Sequence, residues 1–318
     1  MKIFWADREG NPPPSQCTFH FRPFSAGISS PRIEILHRLP SPTPPIKVLR
    51  RTFSPEHGKW IEGVKKSVDC ILNQELQKVV LARSVTLELA ESPNPFAIAS
   101  ALKDKAEGAF VFCLQTPEFS FLGASPERLF ARKGREIVSE AIAGTRKRGK
   151  NRDEDENLKR ELLASAKDMR ELSPIQTYLN QALAPICIAP ISFSPISVHA
   201  AQNVQHLYSR CSAFLNENVT DEEILERLHP TPALCGMPKE KALKLIEELE
   251  PFQRGLYGGA IGWKTPEASE WVVGIRSCLI QGRTATLFSG TGIVEGSDPE
   301  EEWEELDQKL RLYEGIFL

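Results

Sequence analysis

Apolar residues recur along this chain in two rhythms, and the switch between them marks out its elements. Trp60, Val64, Val68, Ile71 and Leu72 recur at helical spacing, which predicts an amphipathic helix over residues 58–76. The stretch Val79-Val80-Leu81-Ala82-Arg83-Ser84-Val85-Thr86-Leu87 is rich in β-branched residues and predicts a strand. Further strands are predicted at 109–115, 119–123, 128–132, 136–142, 204–215, 256–263, 271–280 and 284–294. Helices are predicted at 95–105, 154–172, 174–183, 221–228, 238–249 and 299–315. Runs of strands with long helices between groups of them imply an α+β fold, its antiparallel sheets flanked by helices.

Ten of the 24 prolines fall in the first 60 residues, so that stretch is expected to form extended segments and turns, with a strand or two against the body. The texture changes near Gly58. It divides a proline-rich N-terminal segment, 1–57, packed on the body, from a main domain, 58–318.

A length of 318 residues suffices for one large domain or two intimate subdomains. The formal net charge of -3 gives no electrostatic reason to expect nucleic acid or an anionic membrane as partner. No apolar run reaches the roughly 18 residues of a membrane span. The N-terminus, Met1 to Asp7, turns charged too early for a secretory signal. Seven cysteines stand singly, without a CxxC pair, which argues for reduced thiols and a cytoplasmic location.

Two helices carry acids beside their apolar faces. In the last one, Asp298 is a good N-cap, Pro299 fits the first turn and Glu301 completes a capping-box pattern. Its core face is Trp303, Leu306, Leu310 and Tyr313, which places Glu302, Glu305 and Lys309 together on one flank. In the helix predicted at 154–172, Leu158, Leu162, Met169 and Leu172 face the core, and Asp168 and Glu171 share a flank. Two carboxylate pairs of this kind suit a hard cation such as Mg²⁺. Taken alone, they are better read as acids favoured by the helix dipole or as a solvated charge run.

Nine collinear motifs then decide the reading. They are Gln77-Lys78-Val79-Val80-Leu81-Ala82-Arg83, Gly123-Ala124-Ser125-Pro126-Glu127, Ala143-Gly144-Thr145-Arg146 and Ser165-Ala166-Lys167-Asp168-Met169-Arg170-Glu171, followed by Leu228-His229-Pro230-Thr231-Pro232-Ala233. Tyr257-Gly258-Gly259-Ala260-Ile261-Gly262-Trp263, Val273-Gly274-Ile275-Arg276-Ser277, Gly290-Thr291-Gly292-Ile293-Val294 and Glu302-Trp303-Glu304-Glu305 complete the series. Together they resemble the chorismate-utilising enzymes: isochorismate synthase, salicylate synthase, and the large components of anthranilate and aminodeoxychorismate synthases. The resemblance covers roughly residues 58 to 315. It implies two interlocked α/β subdomains with large antiparallel sheets and the active site between them, residues 58–318 being the chorismate-binding catalytic domain. The N-terminal part is shorter than the resemblance leads one to expect. Leu172 replaces the family's usual histidine, and Lys147 its usual proline.

By that resemblance Lys78 is the general base and Glu127 the general acid. Glu171 and Glu305 bind Mg²⁺ directly, with Asp168 and Glu302 acting through water. Arg276 grips the enolpyruvyl carboxylate, helped by Tyr257 and the backbone amides around Gly290 and Gly292. Lys309 meets the ring carboxylate, Gly144 and Thr145 line the ring near its leaving hydroxyl, and His206 contacts the ring region. His229 is assigned to holding its loop. Strand alternation puts Lys78 on a face with Val80, Ala82 and Ser84, a small apolar strip that fits a desolvated lysine.

Within the family the nucleophile discriminates. Anthranilate synthases usually carry glutamine at the position of Lys78, and aminodeoxychorismate synthases often carry lysine at that of Ala143. The residues here match the water-using branch, hence isochorismate synthase, with salicylate synthase and a catalytically silent chorismate-binding paralogue as alternatives. Chorismate is then the partner that matters. No obligatory glutaminase subunit is expected, and the chain is expected to be a monomer or weak homodimer. Whether the product enters menaquinone, a siderophore or salicylate stays open.

Overall fold

The structure, a computed structural model, describes residues 1–25, 34–200 and 204–317; the side chains of Thr145 and Lys167 lie outside this description. The chain opens with strands β1 (Lys2–Ala6), β2 (Thr18–Arg22), β3 (Glu34–Leu36) and β4 (Val48–Ser54). Helix α1 (His57–Leu72) leads into β5 (Lys78–Leu89), and α2 (Pro95–Lys105) into β6 (Phe110–Gln115), β7 (Ser120–Ser125), β8 (Arg128–Lys133) and β9 (Glu136–Lys147). Two helices, α3 (Arg152–Ala164) and α4 (Ala166–Leu183), precede β10 (Ser192–Phe193), β11 (Ser197–Ala200) and β12 (Val204–Phe214). Next come α5 (Asp221–Leu228), β13 (Gly236–Met237) and α6 (Lys239–Leu249). Strands β14 (Ala260–Lys264), β15 (Ala268–Val273), β16 (Ser277–Gln281) and β17 (Thr284–Ile293) lead to α7 (Pro299–Leu310).

The strands form two sheets. A nine-stranded sheet runs β13-β5-β17-β16-β7-β6-β1-β3, with β4 also paired to β5. An eight-stranded sheet runs β10-β12-β9-β8-β15-β14-β2, with β11 also paired to β12. Among the described residues every pairing of named strands is antiparallel except β1 with β3. The first 57 residues thus enter both sheets, β1, β3 and β4 one of them and β2 the other.

The sheets meet face to face over an aromatic layer. Ile3, Trp5, Phe110, Phe112 and Phe121 from one sheet pack with Phe19, Phe21, Ile261 and Val272 from the other. Each such fully buried side chain contributes roughly 1.5–3 kcal/mol of hydrophobic stabilisation. Two of the chain's crossings from one sheet to the other run from β7 to β8 and from β15 to β16. These crossings are tied together: the Val273 N–H donates to the Glu127 carbonyl (3.1 Å) and the Ala124 N–H to the Arg276 carbonyl (3.2 Å).

Several elements depart from the sequence-based expectation, each for a local reason. The helix expected over 154–172 is two helices. Ser165 ends α3 and caps α4, its side chain accepting from the Asp168 N–H (3.2 Å). Helix α4 then runs through Pro174 rather than starting there. The strand expected at 271–280 is β15 and β16, split where Arg276 takes a positive φ of 51°. The strand expected from 256 starts at Ala260, because Tyr257-Gly258-Gly259 makes a turn with Gly258 at φ 69°. Helix α1 stops at Leu72, short of 76, where Gln74 adopts φ 60°. Helix α7 gives way to a 3-10 turn, Arg311–Tyr313. No helix among the described residues is long and apolar enough to cross a membrane.

Candidate active site

A cavity of about 310 Å³ opens between the two crossings, the start of β5, the end of β17, and helices α4 and α7. Lys78, Glu127, Gly144, Asp168, Glu171, His206, Tyr257, Arg276, Gly290, Gly292, Glu302, Glu305 and Lys309 all line it. Residues up to 231 positions apart in sequence are brought to one place. The remaining candidate, Thr145, follows Gly144 in β9, and its side chain lies outside the described residues.

Lys78 begins β5, and its side chain lies over Gly292 of the neighbouring strand. A Cβ at Gly292 would stand 2.6 Å from the lysine Cε and 3.0 Å from Nζ. Burial lowers the Lys78 pKa from its ordinary value and Lys309 adds to this, against the pull of Glu171, Glu127 and Glu305. Glu127 lies in the β7–β8 crossing, its N–H donating to the Ser125 hydroxyl (3.2 Å). Burial, seconded by the Glu140 carboxylate, pushes the Glu127 carboxyl up to about 7, although Lys78 and Arg8 pull it down. The two groups are therefore shifted in opposite senses within one cavity.

Gly144 sits at an irregularity of the β9–β12 ladder, where the register slips between Gln205 and Leu207. With φ at 61° it also leaves room for Asp168, whose Oδ1 would be 2.6 Å from a Cβ there. Its carbonyl accepts from His206 Nδ1 (3.0 Å), which fixes that tautomer. Burial lowers the His206 pKa to about 4, so the ring is neutral at physiological pH. His229 is buried, with Nε2 donating to the Gly258 carbonyl (2.9 Å).

Arg276 owes its aim to a strained backbone. Its carbonyl accepts from the Ala124 N–H and, at 3.0 Å, from the Tyr313 hydroxyl, which together hold the left-handed conformation. Tyr257 stacks on Phe288 with ring centroids 5.1 Å apart, and its hydroxyl occupies the space a Cβ at Gly290 would need (2.6 Å). From α7, Glu305 pairs with Lys309 (2.6 Å), and Lys309 Nζ also donates to the Gly290 carbonyl (2.8 Å). The Thr291 hydroxyl donates to Glu302 (2.5 Å) and lies 3.2 Å from Glu305. Burial raises the Glu302 carboxyl. Burial pushes Glu305 the same way, but Lys309, Thr291 and Arg276 outweigh it and leave that carboxyl below its ordinary value.

A sequence profile described as "chorismate binding enzyme" matches residues 30–314. The chain belongs to this family. Isochorismate synthase 2, chloroplastic, of Arabidopsis thaliana is 39% identical over 270 residues, which is 84% of this chain and 48% of the plant protein. Isochorismate synthase MenF of Bacillus subtilis (strain 168) is 36% identical over 253 residues, 79% of this chain and 54% of its own length. The solved structure of MenF, the menaquinone-specific isochorismate synthase from Escherichia coli, superposes with a TM-score of 0.89 at 26% identity, covering 99% of this chain and 88% of that one. The chain spans about half the length of the curated relatives it matches.

Two features of this candidate site were not reached from sequence. Glu140 stands behind Glu127, and alternation along β9 could have pointed to it, since Glu140, Ile142 and Gly144 share a face. Arg8, which bonds both Glu140 and the Pro126 carbonyl, carries no local signal at all. Neither lies in the motifs.

The four acids offer hard oxygen donors to one cavity, but they do not form a closed cage. Among the described residues no three carboxylate, histidine or cysteine groups converge as metal ligands. Asp168 is paired with Arg146 (2.7 Å), Glu305 with Lys309 and Glu302 with Thr291, whereas Glu171 has no hydrogen bond or ion pair with the described residues. This donor set fits a cation that takes few protein carboxylates and keeps its other positions for water and substrate oxygens.

Proposed function

We propose that the chain is a Mg²⁺-dependent isochorismate synthase, converting chorismate to isochorismate. The observation that carries this reading is the lysine lowered by burial beside a glutamate raised to about 7, in one cavity. A base must shed its proton near neutral pH and an acid must keep one, so opposite shifts are what this chemistry needs. The relatives named above as isochorismate synthases support it as well. So do lysine at 78 and alanine at 143, the pairing expected of a water nucleophile.

In this mechanism Lys78 takes a proton from water as the water oxygen bonds to ring carbon C2. The two ring double bonds shift, the bond from C4 to its oxygen breaks, and Glu127 protonates the departing hydroxyl. One water enters and one leaves. Lys78 ends with a proton more and Glu127 with one fewer, and return of that proton resets the pair. Arg276 binds the enolpyruvyl carboxylate through its planar fork, with Tyr257 and the amides around Gly290 and Gly292. Lys309 meets the ring carboxylate, Gly144 and Thr145 border the leaving hydroxyl, and His206 faces the ring region. Glu171 and Glu305 would hold Mg²⁺ directly, with Asp168 and Glu302 through water, and the ion when bound supplies positive charge to the ring carboxylate. A water nucleophile requires no glutaminase partner.

The test is a chromatographic product assay with chorismate and Mg²⁺, with and without ammonium. Isochorismate alone, indifferent to ammonium and lost on chelation, is expected. Salicylate with pyruvate would replace the reading by salicylate synthase, and no turnover would favour a silent binding paralogue. Lys78→Ala is expected to fold normally, by circular dichroism, and to lose nearly all turnover; unchanged turnover overturns the assignment of the base.

A further inference from the structure

Arg8 follows β1 and lies 118 residues from Pro126, yet its guanidinium joins two parts of the acid's surroundings. Its Nη2 donates to the Pro126 carbonyl at 2.6 Å, immediately before Glu127. The same fork grips Glu140 of β9, Nη1 to Oε1 at 2.9 Å and Nη2 to Oε2 at 2.6 Å. The Glu140 side chain is 1% exposed and that of Arg8 13%. From its other side Glu140 accepts from Arg128 Nη1 of β8 (3.0 Å), and Arg128 is anchored on Glu270 of β15 (2.9 Å). The Tyr208 hydroxyl of β12 comes within 3.5 Å. Glu140 is thus a buried carboxylate gripped by two guanidinium groups.

We infer that Arg8 and Glu140 are a positioning pair for Glu127, Arg8 fixing the turn that carries it and Glu140 setting the field behind it. This rests on reading Glu127 as the proton donor. Three charged side chains act on Glu127. Lys78 faces it from β5, Arg8 from the segment after β1, and Glu140 from β9. Behind Glu140 stand Arg128, Glu270, Tyr208 and, on β11, His199. Helix α4 contributes Glu171 to the main cavity and Tyr178 to a hollow of about 10 Å³ that Glu127 and Glu140 both line. Within this set Glu140 raises the proton affinity of Glu127 and Arg8 lowers it. Removing either charge must therefore move Glu127 in opposite directions. A purely structural contact would move it in neither.

The experiment is an infrared titration of the protonated carboxyl band that disappears in Glu127→Gln, measured in the wild type, Glu140→Gln and Arg8→Gln, with pH profiles of kcat/KM alongside. In Glu140→Gln the midpoint is expected to fall by about half a unit or more, and in Arg8→Gln to rise by a similar amount. The kinetic limb near pH 7 should follow each midpoint. Arg8→Lys keeps the charge but loses the fork, so its midpoint should stay near that of the wild type while kcat falls. Midpoints that coincide in all variants, or shift in the same direction, overturn the inference. Should one variant not fold, the direction found in the other still decides. Full turnover in Glu127→Gln would instead overturn the acid assignment itself, and so is distinguishable from failure of the pair alone.

Discussion

At three positions the cavity depends on a missing side chain. Gly292 leaves room for the Lys78 ammonium, Gly290 for the Tyr257 hydroxyl and Gly144 for the Asp168 carboxylate. The atoms that a methyl at 292 would strike are the far end of a flexible lysine, so the fold can accommodate it while the base is displaced. Gly292→Ala is therefore expected to cut kcat about tenfold or more with almost no change in Tm, a split read by steady-state kinetics and a thermal melt. Glu127 gives a second residue-scale expectation, through linkage. Its folded pKa of about 7 lies above the ordinary 4.5, so the folded state binds the proton more tightly and stability is lost as pH rises from 4.5 through 7. Glu127→Gln should then be more stable than the wild type at pH 8, by about 3 kcal/mol. Chemical denaturation should show the difference vanishing below pH 4. The motifs name all these residues, but nothing in the sequence says that the glycines serve other side chains rather than substrate.

Between elements, the two acid-bearing helices are set by different devices. Helix α7 is registered on β5 by Arg83, which is fully buried, lies 3.9 Å over the Trp303 ring and bonds Asp307. The strand that carries Lys78 is thereby locked to the helix that carries Glu302, Glu305 and Lys309. Helix α4 starts at the Ser165 cap, which places Asp168 in its first turn beside Gly144. Ser165→Ala should cost about 1 kcal/mol of stability, and Ser165→Asp should restore it, as measured by urea denaturation. Helix α7 is legible from its start because the Asp298 cap and the apolar period agree. The α3–α4 break was not read, although Ser165 and Asp168 carry the capping spacing. Leu158, Leu162, Met169 and Leu172 stay in phase across the break, and periodicity registers the apolar stripe rather than the continuity of the helix.

Over the whole molecule, the site lies where two sheets exchange strands. Glu127 and Arg276 occupy two of the crossings, α7 packs against β17 of one sheet, and α4 against β9 of the other. A cation shared by Glu171 and Glu305 would bridge these halves. Mg²⁺ is accordingly expected to raise Tm as well as turnover, and Glu305→Gln to flatten both titrations. An unaltered response of both in that variant would remove Glu305 from the metal site.

The sequence by itself determined the family, the α+β class, most element positions and the identities of the candidate base, acid and carboxylates. It could do so because propensity, caps and collinear motifs are local properties that survive without coordinates. Only the tertiary structure decided the proton affinities of Lys78 and Glu127, the exchange of strands between two sheets, and the reach of Arg8 to a turn 118 residues away. Those depend on burial and on the charges that long-range packing brings together. Burial and through-space field have no signature in a short window of sequence.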